Sequence, residues 1–164
     1  MVASCDREAT VLVLSAVMPE SDEQKRKMAV LATRVVPHNT ALGIRIVDVL
    51  DHEAVFELPY DPKLVGNPDT GAVHGGAITA MLDACSGFAV FATLAERVPI
   101  ATLDLRIDYL KAAVAGKSVF GRATCYKLTR NVAFTRAVAY QDDLDDVVAH
   151  AVGTFMLSTR QGKS

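Results

Sequence analysis

The chain has 164 residues, 51% of them hydrophobic and 6% aromatic with no Trp, and a formal net charge of −2. That length and apolar fraction fit one compact domain with a real core. Near-neutral charge, no basic excess and few aromatics exclude the usual footprint of a nucleic-acid binder.

Residues 11–18 are apolar, but Asp6 and Glu8 precede them, and neither the basic start nor the small-residue cleavage site of a secretory signal is clear. No run reaches the ~20 apolar residues of a bilayer span, so neither a signal peptide nor a membrane partner is expected and the cytoplasm is the default. Cys5, Cys85 and Cys125 are widely spaced and read as free thiols. His38, His52, His74 and His150 do not cluster with Cys or acids at ligand spacings, so no metal site is expected.

In chain order, residues 23–35 have helical composition, with Met28, Leu31 and Val35 on one face and Ser21 as N-cap. Pro37 is expected to end that helix. Residues 42–50 and 54–60 read as strands with a turn near Asp51 and His52, and residues 61–73 as a loop rich in Pro, Gly, Asn and Asp. A long helix follows, over about residues 75–97, with Ile78, Met81, Leu82, Cys85 and Phe88 at three- and four-residue spacing. Residues 101–110 alternate as a strand, with Leu103, Leu105, Ile107 and Tyr109 on one face and Thr102, Asp104, Arg106 and Asp108 on the other. Strands over 118–129, 132–140 and 147–158 complete the set, the acidic run Asp142-Asp143-Leu144-Asp145-Asp146 being a solvated hairpin turn. Strands, one long helix and more strands make an α+β pattern, and a curved antiparallel sheet around the helix explains why it is apolar on most sides. Three regions are expected: a helical extension over 1–36, a domain over 37–158 and a loose tail over 159–164.

The chemistry concentrates in Asn67-Pro68-Asp69-Thr70-Gly71-Ala72-Val73-His74-Gly75-Gly76 and the helix behind it. Asp83 is the sole formal charge between Asp69 and Glu96, among small and apolar residues. A carboxylate there loses solvation unless something pairs with it. Gly76, Ala80, Asp83 and Gly87 share one side of the helix. The helix tip offers free backbone N–H groups and a partial positive charge. Tip and acid are about two turns, roughly 10 Å, apart, too far to grip one reacting atom within one protomer. The chemistry suggests a second copy whose acid faces the tip of the first.

The residues Asn67, Gly71, His74-Gly75-Gly76 and Asp83 resemble the hotdog-fold thioesterase superfamily, in its branch of phenylacetate-degradation PaaI-type thioesterases. The flanking sequences at residues 36–44, 102–110 and 148–156 resemble that family's strands. The resemblance implies an acyl-CoA thioesterase that releases free acid and CoA, taking coenzyme A thioester as substrate and no cofactor. It implies that the backbone N–H of Gly75 or Gly76 binds the thioester oxygen. It implies that Asp83 of the partner chain acts as general base on water or as nucleophile. By the same resemblance Asn67 is expected to orient water or carbonyl, His74 mainly to hold the helix start, and Thr102 to hydrogen-bond the reacting water. Met81 and Phe88 are expected to line the acyl pocket, and Arg122, Lys127 and Arg130 to meet the CoA phosphates. The assembly implied is a homodimer or a dimer of dimers. The loop from Asn67 to His74 is one residue longer than in several relatives, and Gly87 stands where another branch has Thr, leaving Thr102 or Ser86 to supply a hydroxyl. An aryl-acetyl and a medium-chain acyl group fit equally at this stage. A non-catalytic acyl-CoA or lipid-binding hotdog stays open as the alternative. A hotdog dehydratase would carry its His and acid in a Pro-rich loop that is not found.

Overall fold

The computed structural model describes residues 36–96 and 98–157. The helix expected over residues 23–35 and the tail beyond 158 lie outside them. Pro37 opens a helix rather than closing one. It stands in the first turn of α1 (Pro37–Leu42), where a missing N–H costs nothing, and Gly43 at φ 73° caps the other end. The first strand therefore starts later than expected.

The strands are β1 (Arg45–Leu50), β2 (Glu53–Leu58), β3 (Val65–Asn67), β4 (Ala72–Val73), β5 (Ile100–Tyr109), β6 (Val119–Leu128), β7 (Val132–Tyr140) and β8 (Ala149–Leu157). The long helix, α2 (Gly75–Thr93), lies between β4 and β5 and stops a turn short of the expected end. Six strands form one antiparallel sheet in the order β1-β2-β6-β7-β8-β5, while β3 and β4 make a small separate ribbon. The segment expected as a plain loop thus contains a 3-10 turn (Pro62–Leu64) and this ribbon.

The helix packs chiefly on β2, β6 and β7. Many of the residues facing it there are small, namely Ala54, Gly121, Ala123, Ala133, Ala137 and Ala139, with the larger Phe56, Leu58 and Val119 toward the ends of β2 and β6. Small side chains let the helix sink onto the sheet, where Met81, Leu82, Cys85 and Val90 are fully buried against it. The α2 helix is 19 residues long and apolar enough to match a bilayer span, which the sequence reading did not expect; half of its most apolar window is buried by the sheet, as befits a core helix.

At the other side of the sheet, β5 departs from the expected alternation. Thr102 pairs with Phe155 and Asp104 with Thr154, so Leu103 is an extra residue in a β-bulge. The bulge inverts the facing of the first half of the strand. Thr102 turns toward the helix together with Leu105 and Ile107, and Leu103 is left 56% exposed.

Candidate active site

The start of α2 is held from three directions. His74 is its N-cap, and His74 Nδ1 accepts the Gly76 N–H at 2.9 Å. The His74 N–H donates to the Leu64 carbonyl at 2.7 Å. Tyr109 Oη donates to the Gly75 carbonyl at 2.6 Å and lies 2.8 Å from Thr79 Oγ1. Gly66 of β3 comes so close that a Cβ there would stand 2.8 Å from His74 Cα, so only glycine fits. These contacts divide the tip donors. The Gly76 N–H is taken by His74, whereas the Gly75 N–H has no acceptor among the described residues. Gly75, Tyr109 and Val73 border an open depression of about 370 Å³.

Asn67 sits at the end of β3, exposed, and organises the loop before the helix. Its side-chain oxygen accepts the Asp69 N–H at 3.0 Å, and its carbonyl accepts the Gly71 N–H at 2.8 Å. Its amide oxygen therefore serves the turn, and its NH₂ is the part left over.

Asp83 lies about two turns along the helix, half-buried. Thr102 Oγ1 donates to Asp83 Oδ1 at 2.9 Å across the gap between α2 and the bulged β5. This is the pairing that a carboxylate in apolar surroundings needs. A second depression, of about 300 Å³, opens beside it, with Phe88 and Phe91 from the helix, Ile100 from β5 and Phe155 from β8. His38 and Asn39 of α1 complete its rim, residues to which the sequence reading gave no place in the site.

The expected residues therefore divide. Asp83, Thr102 and Phe88 come together around one depression; Gly75 borders the other, with His74 and Gly76 bonded beside it at the helix tip. Met81 belongs to neither. It is fully buried against Gly121, because its side of the helix faces the sheet. Arg122 lines neither depression. It points to the sheet face away from the helix and is paired with Glu53 through Nε and, at 3.1 Å, through Nη2. That ion pair holds its guanidinium firmly protonated. Lys127 and Arg130 are exposed at the end of the sheet where Thr102 lies, since the register runs Thr102, Phe155, Ala133, Leu128. Burial pushes the Cys85 thiol far up, so it is a packing residue. Ser86 Oγ is buried with no partner and does not reach Asp83. Among the described residues, no group of His, Cys, Asp and Glu could hold a metal ion. Tyr109 was read from sequence as a sheet residue alone; only the fold brings its hydroxyl to the helix tip.

Known proteins resemble this chain in sequence and fold. The profile of the Thioesterase superfamily fits residues 70–148, which include the whole of α2 with Asp83, and Thr102 and Tyr109 of β5. The medium/long-chain acyl-CoA thioesterase YigI of Salmonella typhimurium is 27% identical over 135 residues, covering 74% of this chain and 86% of that protein. A crystal structure of a Pseudomonas aeruginosa protein superposes with a TM-score of 0.74 at 40% identity, over 81% of this chain and 98% of that one. A phenylacetic acid degradation-related protein from Ralstonia eutropha superposes at 0.66 with 31% identity, over 74% and 90% of the two chains. With this agreement of sequence, sheet order and helix, the chain belongs to the thioesterase superfamily and has its hotdog fold.

Proposed function

We propose that this protein hydrolyses acyl-CoA thioesters, with the Gly75 N–H of one protomer polarising the carbonyl and Asp83 of its partner activating water. The observation that carries the reading is the Asp83–Thr102 pair on the wall of an apolar depression. A carboxylate fixed there by one hydroxyl keeps its second oxygen for a water molecule. Gly75 is preferred to Gly76 because the Gly76 N–H already serves His74. The Tyr109 hydroxyl and the His74 ring grip the peptide between the two glycines from both ends, which fixes the tip before substrate arrives. The NH₂ of Asn67 is available to orient the water or the acyl oxygen.

Tip and acid lie on the same helix about 12 Å apart, so the reaction needs two copies. The free edge of β5 supplies the means. It is a ten-residue strand with no neighbour on one side among the described residues, and Leu103 and Tyr109 are 56% and 47% exposed along it. A long apolar edge is a template for pairing with another strand. Two β5 edges paired antiparallel bring each tip toward the other chain's acid. The name of YigI supports acyl-CoA as the substrate class. Lys127 and Arg130 are the basic residues at the Thr102 end of the sheet available to the CoA phosphates.

The test is thiol release from phenylacetyl-, butyryl-, octanoyl- and palmitoyl-CoA by wild type and Asp83→Asn. Loss of a general base should lower kcat on the order of 10²–10⁴-fold while the dimer persists. Equal turnover by the two proteins would remove Asp83 from the mechanism. Binding of acyl-CoA with no turnover by wild type would make this a binding protein.

A further inference from the structure

We infer that Gly87 keeps open a channel for a linear acyl chain of medium length, running from Asp83 toward Phe91; the inference rests on the thioesterase reading for its substrate. Asp83, Gly87 and Phe91 follow at four-residue spacing on one face of α2, so the channel floor extends about 12 Å beyond the acid. Its walls are apolar: Phe88 and Phe91 from the helix, Ile100 and Phe155 from the sheet. Polar groups stand only at the Asp83–Thr102 end and on the α1 rim.

Gly87 is the informative residue. Glycine is the poorest helix former after proline, and Gly87 stands well inside α2. Packing does not require it. A Cβ at this position would stand 3.6 Å from Ile100 Cδ1 and 3.7 Å from Phe155 Cε1, ordinary van der Waals distances. Gly121 is the contrast, because a Cβ there would come within 3.0 Å of Met81 Cε. The protein itself tolerates a side chain at 87; the depression beside Asp83 does not, because the new methyl would stand in it. The wall also continues past Gly87 by a further turn to Phe91. A compact aryl-acetyl group ends before that turn, whereas a linear chain of eight to ten carbons, on the order of the channel's 12 Å, uses it.

The experiment measures two ratios for wild type, Gly87→Ala and Phe91→Ala. One is kcat/KM for decanoyl-CoA over butyryl-CoA; the other is the ratio of their dissociation constants by calorimetry, taken in the Asp83→Asn background wherever the thioester is otherwise hydrolysed. Each displaced methylene weakens binding roughly fourfold. Gly87→Ala should therefore lower the preference for decanoyl-CoA on the order of tenfold, and Phe91→Ala should leave or raise it. Because alanine is the better helix former, Gly87→Ala should also melt no lower than wild type, which separates a blocked channel from a damaged fold. Both ratios unchanged in Gly87→Ala would overturn the inference. A shifted binding ratio with no turnover by any of the three proteins would uphold the channel while the catalytic reading fell. No binding of either acyl-CoA by wild type would overturn both.

Discussion

The two sides of the sheet obey different rules. Under the helix, β2, β6 and β7 pair in register over most of their length and turn alanines, Gly121 and Thr135 inward; the residues of α2 above them are fully buried. Toward the other edge, β5 is bulged, carries exposed Leu103 and Tyr109, and meets the helix across a gap rather than a packed seam. Both depressions border β5 or the residues that follow it. The first side is built for stability, its facing residues buried. The second gives up packing and gains a carboxylate, a hydroxyl and space. Substitutions on the two sides should therefore fail in different assays.

The largest expected effect tests the first side. Met81 is fully buried against Gly121. Met81→Ala leaves a cavity and should cost about 2–5 kcal/mol of unfolding free energy, read from urea titrations. Specific activity per folded molecule should hold. A change in acyl-chain preference with unchanged stability would return Met81 to the pocket, where the sequence reading had put it.

Next comes Thr102, on the second side. Thr102→Val keeps the shape and removes the hydroxyl that holds Asp83 Oδ1 at 2.9 Å. The bond is charge-assisted, worth about 1.5–3 kcal/mol where it acts, so kcat should fall on the order of tenfold or more. Melting should move little, because Thr102 is exposed and lies near the sheet edge. A large loss of stability with kcat intact would make the hydroxyl a strut for the bulge instead of a partner of the site.

The same contrast explains what could be read from the sequence. On the regular side the expected elements are the observed ones; β7 has the bounds expected for it, because alternation and helical spacing report burial directly. The helix start was also legible, since His74-Gly75-Gly76 states a cap and a close approach in local sequence. On the other side, alternation misled. It placed Thr102 on the face opposite Leu105 and Ile107, and one bulged residue brought it onto theirs. A bulge depends on the neighbouring strand, which the local pattern does not contain. The placement of Met81 and Arg122 was not legible for a related reason. Helical and strand periods show which residues share a face, but not which face meets the sheet and which the ligand. Tyr109 was missed as a clamp because its partner Gly75 is 34 residues away.

The smallest effect decides to which side Ser86 belongs. It is 1% exposed on α2, and its hydroxyl has no hydrogen-bond partner among the described residues. A buried hydroxyl without a partner is a cost to the fold, and serine is also a weaker helix former than alanine. If Ser86 belongs to the packed side, Ser86→Ala should leave turnover alone and raise unfolding free energy by up to about 1 kcal/mol. The sequence reading offered Ser86 as a second source of the hydroxyl that Gly87 does not supply. In that case Ser86→Ala should lower kcat, and the loss should deepen in the Thr102→Val background, as two hydroxyls sharing one water would require. The orphaned Oγ and its burial favour the first outcome. Urea titration of the single variant beside kinetics of the pair distinguishes them.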